Sequence, residues 1–511
     1  MGATKLVLQS LFLFVLYKIV SAWTYYHRVK KHMPPSPRGL PLVANAFQVP
    51  TEEPWLKFTS WSRELGPVFS LNLFGQHVVV LNTMEAATAL LDRRSSIYSD
   101  RPRMIVAGDT LHGGLNLGLM RYGPTYDSQS TILGRPLLII YVIYRWRKMR
   151  RATHEVMHMH AVDKQAPSQE YDAAVLLSHL IEEPDKWVRH CGQAAASLAF
   201  SVLYGEHLAD KSSYTEVEHL NQLTHVSTRS AAGGTGVWVE LFPSLRHMPE
   251  WLPGAGWKRN AKAHFAKMTK QVHSWLDAAA ERMRATEAKT CLARGLIEDK
   301  DKYGLTSDES AWLAGVALMA GSETTGGALV VFILAMVLHP EVLKRAQVEI
   351  DTVVGPQRMP RLYDQDSLPY IGAIVKEVLR WLPGVPLGLP RRCMEDDWYE
   401  GYLIPKGTTV LYNTWAISQD PQFFPNSAQF LPERYLRGDI DDFDARMDAQ
   451  KTDFVFGFGR RICPGKHYAY RSLFITISSM IWAFDIRKAK DAEGNEVTPS
   501  VTELVDEGVS V

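Results

Sequence analysis

Phe456-Gly457-Phe458-Gly459-Arg460-Arg461-Ile462-Cys463-Pro464-Gly465 decides how the rest of the chain is read. A lone cysteine sits in a glycine-dense loop just ahead of an apolar run, Tyr468 to Phe484, that reads as a helix. Glycine at 457, 459 and 465 tolerates positive φ and lets the backbone approach a flat partner closely. A thiolate at a helix start is favoured by the helix dipole and the free N–H groups there. Arg460 and Arg461 bring positive charge suited to the carboxylates of a ligand. A buried cysteine beside a glycine turn accounts for Cys-Pro-Gly alone, but not for the whole spaced pattern.

That pattern, Phe456-x-x-Gly459-x-Arg461-x-Cys463-x-Gly465, resembles the haem-binding signature of the cytochromes P-450, the haem-thiolate monooxygenases, at every fixed position. The resemblance implies that Cys463 is the axial thiolate ligand of heme b (iron protoporphyrin IX), with Phe456, Arg461 and Gly465 around it. Thiolate ligation donates electron density to iron and favours O–O cleavage. The implied fold is mainly α with small β-sheets, one large haem-centred domain behind an N-terminal membrane anchor. Leu387 to Val410 and Trp251-Leu252-Pro253 look most like a fungal microsomal member.

Composition agrees with this and excludes other classes. A chain of 511 residues has room for two or three domains, and 46% hydrophobic residues supply a large core. A net charge of +1 gives no reason to expect nucleic acid. Cys191, Cys291, Cys393 and Cys463 are far apart, which argues against a disulfide framework or structural zinc and fits a reducing compartment.

Leu6 to Tyr26 is mostly apolar, interrupted by Lys18 and followed by His27, Arg28, Lys30, Lys31 and His32. About 20 apolar residues span a bilayer. No small-residue cleavage site follows, so residues 1–26 read as a signal anchor rather than a cleaved signal peptide. The basic flank would keep the remainder in the cytoplasm, on the endoplasmic reticulum membrane. Residues 27–45, with Pro34, Pro35, Pro37 and Pro41, form a stiff basic hinge. Residues 46–511 form the catalytic domain. Val68–Leu73 and His77–Leu81 read as strands around Gly75-Gln76, and Met84–Leu91 as a short helix. Met104–Gly118 has no period; in the family such a region covers the substrate.

Trp146 begins a helix, and Arg150 shares its face four residues on. The pair resembles the family element in which both side chains bind a haem propionate. Before it, Tyr122-Gly123-Pro124 would ordinarily run almost directly into this helix, but Thr125–Arg145 intervenes. Two readings stand. Codons for Thr125-Tyr126 and Tyr144-Arg145 can carry splice donor and acceptor dinucleotides, so a retained intron is one; a lineage-specific loop is the other. If translated, its apolar Leu137–Tyr144 run is an aggregation hazard. His154-Glu155-Val156-Met157-His158 also matches the zinc-protease pattern, with Glu182 or Glu183 available as a third ligand. It leaves every other motif unexplained, and a polar helix face accounts for it.

Asp172–Tyr204 and Ala261–Ala285 read as helical. Between them Trp238 to Pro243 and Trp251 to Gly254 form aromatic, proline-containing loops that could rest on a membrane. Thr306-Ser307-Asp308-Glu309 is a capping box. The helix it opens is apolar on all faces and runs to His339-Pro340, where proline stops it. Ser322-Glu323-Thr324-Thr325-Gly326-Gly327 at its middle marks a core helix rather than a membrane span, because a carboxylate at the bilayer centre costs about 3 kcal/mol or more. Ala320-Gly321-Ser322-Glu323-Thr324 resembles the family's oxygen-activation motif. Glycine and threonine would let the helix open locally. The resemblance implies Glu323 as the acid and Thr324 as the hydroxyl relay that deliver protons.

Glu377 and Arg380, three apart on a helix, form an ion pair. With Arg434 they fit the family's structural brace for the cysteine loop. Arg391 stands where family members carry a propionate donor, and Val385, Leu387 and Leu389 alternate as a pocket-lining strand. Tyr402–Val410 reads as a hairpin. The chain ends at Val511, where family members continue through another short strand pair; the expected cost is an unpaired edge.

The implied reaction inserts one oxygen atom from O2 into an apolar small molecule, in fungal secondary or xenobiotic metabolism. NADPH electrons would arrive through a flavoprotein reductase docking on Arg147, Lys148, Arg151 and Lys466. A haem-binding protein without catalysis and a zinc protease are the alternatives. The intron reading predicts transcripts lacking the codons for Thr125–Arg145. Messages that all keep them would end it.

Overall fold

The structure, a computed structural model, describes residues 29–40, 43–122, 137–208, 213–231, 237–285, 290–436 and 453–501. The expectations for the 6–26 anchor, for residues 125–136 and for the chain after 501 lie outside the described residues.

The helix Ser307–Leu338 starts where the sequence places its capping box. Thr306 Oγ1 accepts from the Glu309 N–H at 3.2 Å, and Glu309 Oε2 accepts from the Thr306 N–H at 2.9 Å. It ends at His339-Pro340 as expected. Around it lie α1 (Pro54–Leu65), α2 (Leu137–Met157), α3 (Ala166–Glu182), α4 (Trp187–Tyr204), α5 (Tyr214–Ala231) and α6 (Gly256–Ala285). The capped helix is α7, followed by α8 (Pro340–Val353), α9 (Pro369–Trp381) and α10 (Lys466–Ala483).

Helix α7 has no polar face because it packs on several sides. Small residues set how close its neighbours come. A Cβ on Gly315 would lie 2.2 Å from Val272 Cγ1 of α6; one on Gly326 would lie 3.6 Å from Gly192 Cα and Ala195 Cβ of α4. The glycines thus lower helix propensity but admit close packing. One apolar cluster, including Trp275, Met149 and Trp312, surrounds the N-terminal half of α7, and another, including Phe332, Phe474 and Trp381, its C-terminal half. By length and hydropathy α7 would pass for a membrane span, yet half of its apolar window is buried in protein. It is a core helix.

The main sheet runs in the order β1 (Val68–Leu73), β2 (Gln76–Leu81), β6 (Thr409–Tyr412), β3 (Arg391–Arg392). β1 and β2 form the expected hairpin with Val68 opposite Leu81; β2 pairs in parallel with β6, Val78 opposite Thr409. β4 (Asp397–Tyr399) and β5 (Tyr402–Ile404) make a separate hairpin. Tyr402–Val410 is therefore not one hairpin: β5 turns back on β4 through Glu400 and Gly401, both at positive φ, and β6 joins the other sheet.

Other boundaries also move. Asp172–Tyr204 is two helices, because Pro184 forces Glu183 out of the helical region, to φ −139 and ψ 68. Helix α6 starts at Gly256, and α2 at Leu137 rather than Trp146, so residues 137–145 continue into the Trp146 helix. Met84–Leu91 is α-helical to Ala87 and then widens into a π-helical turn, Thr88–Arg93. Met104–Gly118 contains another, Ile105–Leu111.

The brace forms with deeper burial than its sequence implied. Arg380 grips Glu377 through Nε and Nη2, each at 2.7 Å, and both side chains are at most 1% exposed. Arg434 Nε adds a contact to Glu377 at 3.2 Å. Arg380 also donates to the carbonyls of Ser418, Ser427 and Gln429, while Glu377 accepts from the Leu431 N–H at 2.8 Å. Removing one partner strands a buried charge. Glu377→Ala is expected to cost about 3–5 kcal/mol in urea unfolding, and Arg434→Ala, from the less buried edge, measurably less.

Candidate active site

The cysteine loop is held in shape at both ends. Gly457 and Gly459 adopt φ +83° and +55°. A Cβ on Gly459 would fall 2.4 Å from the Leu91 carbonyl oxygen, so the loop can lie against residues 91–95 only with glycine there. Its N–H donates to Asp92 Oδ1 at 3.1 Å. Gly465 departs from the expectation: its φ is −87°, open to any residue, and a Cβ there would meet Cys463 Sγ only at an ordinary contact distance of 3.9 Å. The Cys463 N–H donates to the Phe456 carbonyl at 2.8 Å, and the Phe456 ring packs on Tyr470. Cys463 is half-buried as a residue and is unbridged. Burial pushes its thiol up, opposed by the Gly465 N–H, Arg150 and Lys466. A bound metal cation would remove that proton outright.

Arginines converge beside this loop. Arg461 donates to the carbonyls of Ser99, Leu117 and Met120 at 2.8, 3.3 and 2.7 Å, and lies 4.4 Å over the Trp146 ring. Trp146 is buried and meets Tyr122 edge-on. Arg101 donates to the carbonyls of Gly118, Leu389 and Pro390. Arg391 gives Nη2 to the Phe458 carbonyl at 3.0 Å, but its Nε and Nη1 are buried without a partner. Burial first, and then repulsion from Arg391 and Arg150, holds Arg461 down at about 9. Burial and Arg150 hold Arg391 at about 10, while Arg101 is lowered by burial, Arg391 and Arg461. Arg150 is itself lowered by burial. These cations repel one another in a low-dielectric site, an arrangement that costs free energy unless an anion compensates it.

Asp100 is fully buried nearby and is itself engaged. It accepts from the Tyr122 N–H at 2.7 Å and from Arg392 at 3.2 Å, with Arg121 at 3.5 Å. The arginine edge left over fits a flat ligand bearing two carboxylates, and the glycine loop with its thiol fits an iron at that ligand's centre. Haem is such a group. Arg101 escaped the sequence reading because its partners are carbonyls, two of them 288 and 289 residues away.

On α7, Ala320 and Thr324 are exposed one turn apart in a helix whose neighbouring positions are largely covered. The helix is unbroken here, so the expected local opening is absent; Thr324 Oγ1 instead donates to the Ala320 carbonyl at 2.8 Å. Glu323 accepts from Thr228 Oγ1 of α5 at 3.2 and 3.3 Å, a tether that the sequence did not reveal. Residues 385–389 are not a strand. Gly388 takes φ +56° against the Tyr412 ring, Leu387 packs beside the sheet, and Leu389 reaches toward Gly118.

The zinc-protease reading fails on its other parts rather than on its histidines. The His154 and His158 rings lie 5.6 Å apart, with the His158 N–H still bonded to the His154 carbonyl at 3.0 Å, although helix α2 ends at Met157. Glu155 is taken by Lys302 at 2.8 Å and by Tyr303. Among the described residues no group of three or more His, Cys, Asp or Glu could hold a metal ion. Of the basic residues expected to face a partner, Arg147 contacts Tyr122, Lys148 the Gly304 carbonyl, Arg151 the Lys302 carbonyl and Lys466 the Asp453 carboxylate.

The chain belongs to the cytochrome P450 family, whose model matches residues 34–503. Its relatives include cytochrome P450 monooxygenase 58 of Postia placenta, 42% identical over 94% of this chain and 87% of the relative. A cytochrome P450 monooxygenase of Armillaria gallica is 37% identical over 96% and 90%, and one of Amanita muscaria 34% over 92% and 87%. It is thus a mainly helical, single-domain monooxygenase.

The buried carboxylate gives a pH test. Burial would raise Asp100, but Arg121, the Tyr122 and Arg101 N–H groups and Arg392 together hold it below its ordinary 3.8. Its stabilisation is present above that value and is lost as pH falls through the depressed one. Asp100→Asn is expected to lower urea stability at pH 7 by about 3 kcal/mol, with the gap narrowing below about pH 4.

Proposed function

We propose that this chain inserts one oxygen atom from O2 into an apolar small molecule, in secondary or xenobiotic metabolism, with NADPH electrons delivered by a flavoprotein reductase. The observation that carries the reading is Arg391: a buried guanidinium with two nitrogens unpartnered, among other buried arginines, beside the Cys463 loop. Heme b, when bound, would supply the iron at which dioxygen is held and reduced. Cys463 Sγ would hold that iron as a thiolate. Arg391, Arg150 and Trp146, with Arg461 and Arg101 behind them, would receive the propionates, whose charge relieves the repulsion among the guanidiniums.

Glu323 would carry the proton and Thr324 Oγ1 would pass it on. Thr324 directs its own hydrogen to the Ala320 carbonyl, which leaves the oxygen's lone pairs to accept from the acid or a water. Thr228 Oγ1 of α5 lies within reach of the carboxylate and shares its one hydrogen between it and the Thr224 carbonyl. Glu377, Arg380 and Arg434 would act only by bracing the cysteine loop.

Residues 1–26 would anchor the protein in the endoplasmic reticulum membrane as a single span, with residues 27–45 as hinge and residues 46–511 as the cytoplasmic domain. An exposed aromatic group supports contact between that domain and the membrane. Phe47, Trp238 and Phe242 are 66%, 57% and 44% exposed, and Phe74 joins them, 5.8 Å from Phe47 and 6.0 Å from Phe242. Contiguous apolar surface of this kind marks an interaction site. The basic surface at Arg147, Lys148 and Arg151 suits an acidic reductase face.

Cys463→Ala is expected to abolish the thiolate-type Soret band of the reduced carbon monoxide complex, together with NADPH-dependent turnover. Thr324→Ala should keep that band and lose about a hundredfold in product formation. Unchanged colour and turnover in Cys463→Ala would overturn the reading.

A further inference from the structure

Away from the cysteine loop and its arginines, a cavity of about 530 Å³ opens at the start of α3, with Lys164, Ser168, Tyr171 and His207 in its wall. Its side chains form a relay. Ser168 Oγ lies 3.2 Å from His207 Nε2, and His207 Nδ1 lies 2.9 Å from Asp172 Oδ1. Ser168 and Asp172 are one turn apart on the same face of α3, and His207 follows the left-handed Gly205 that ends α4. Asp172 is fully buried, and the His207 side chain keeps 15% exposure.

The relay is fixed from behind. Ser197 Oγ donates to Asp172 Oδ1 at 2.6 Å and accepts from the Leu208 N–H at 2.8 Å, so the residue after His207 is tied to the same carboxylate. Gln193 holds the Leu208 carbonyl at 3.0 Å, and the Tyr171 ring stands edge-on to the imidazole, 4.7 Å away. An anion on Nδ1 favours the tautomer with its proton there, which leaves Nε2 to accept from Ser168. A hydroxyl, an oriented imidazole and a buried carboxylate within hydrogen-bond reach, opening on a cavity, are the parts of an activated nucleophile.

We propose that Ser168, His207 and Asp172 form a second active site that hydrolyses short-chain carboxylic esters. Ser168 Oγ attacks the ester carbonyl and passes its proton to His207 Nε2. The C–O bond to the alcohol breaks, and the alcohol leaves with that proton. Water, deprotonated by His207, then releases the acid and restores Ser168. No oxidant or reductant enters. Ser168 and His207 are the catalytic residues and Asp172 a positioning residue. Lys164, in the same wall, brings positive charge for the developing oxyanion.

The test uses the haem-loaded full chain, a fluorophosphonate probe and p-nitrophenyl acetate. The probe is expected on Ser168 by peptide mass spectrometry. Ser168→Ala should abolish labelling, and His207→Ala should slow it about a hundredfold, both with the reduced carbon monoxide spectrum intact. Asp172→Asn should lower kcat for the ester without raising KM. No labelling of the wild-type protein, label on another residue, or ester hydrolysis by Ser168→Ala at the wild-type rate would each overturn the proposal. Wild-type labelling decides the matter even if a variant fails to fold.

Discussion

Buried like charge is the constraint on which the rest of the molecule turns. Arg101, Arg391 and Arg461 are almost fully buried, and each is held mainly by backbone carbonyls rather than by a carboxylate. Carbonyl dipoles satisfy N–H groups without neutralising them, so the guanidiniums still repel. The folded chain tolerates this because the same bonds join distant segments. Arg461 ties the cysteine loop to residues 99–120, and Arg101 ties that stretch to Leu389 and Pro390 beside β3. Rigid positioning and stored electrostatic cost arise from the same contacts. A dianionic ligand bound there would relieve the cost without disturbing the scaffold.

Helix α7 answers the opposite requirement, an apolar core element that must carry polar groups at one place. Glycines and the alanines of α4 bring the two helices close, which buries the flanks of the polar stretch. Thr324 satisfies its hydroxyl within the helix, and Glu323 finds Thr228 on a neighbouring one. The polar interruption therefore needs no break in the helix, and the proposed acid meets α5, whose Val217, Leu220 and Leu223 belong to the same apolar cluster as α7.

Features encoded over a few residues were the legible ones. The capping box, the Glu377–Arg380 pair, the β1–β2 hairpin and the cysteine loop each depend on spacing within one stretch, and each lies where its spacing put it. What escaped depended on the fold: the burial of the brace, the pairing of β6 with β2, and Arg101, whose function follows from distant carbonyls. Pro184 was readable in principle, since proline restricts the residue before it. The His154 motif failed for the converse reason: its spacing did bring the two histidine rings together, but Glu155 is committed to Lys302 and Tyr303 and, among the described residues, no third ligand joins them.

The two buried ionic arrangements in this chain differ in a way that separates structure from function. In the brace, Glu377 meets two guanidiniums, and Arg380's remaining donors meet carbonyls, so the group is satisfied from within. Nothing in it calls for a ligand. Beside the cysteine loop the balance does not close: Asp100 is already committed to Arg392, Arg121 and a backbone N–H, and Arg391 retains donors without acceptors. Burial is common to both, and charge compensation is not. A buried cation left unsatisfied by its own chain, next to a thiol in a glycine-bent loop, is the physical ground of the proposal that the cofactor binds there.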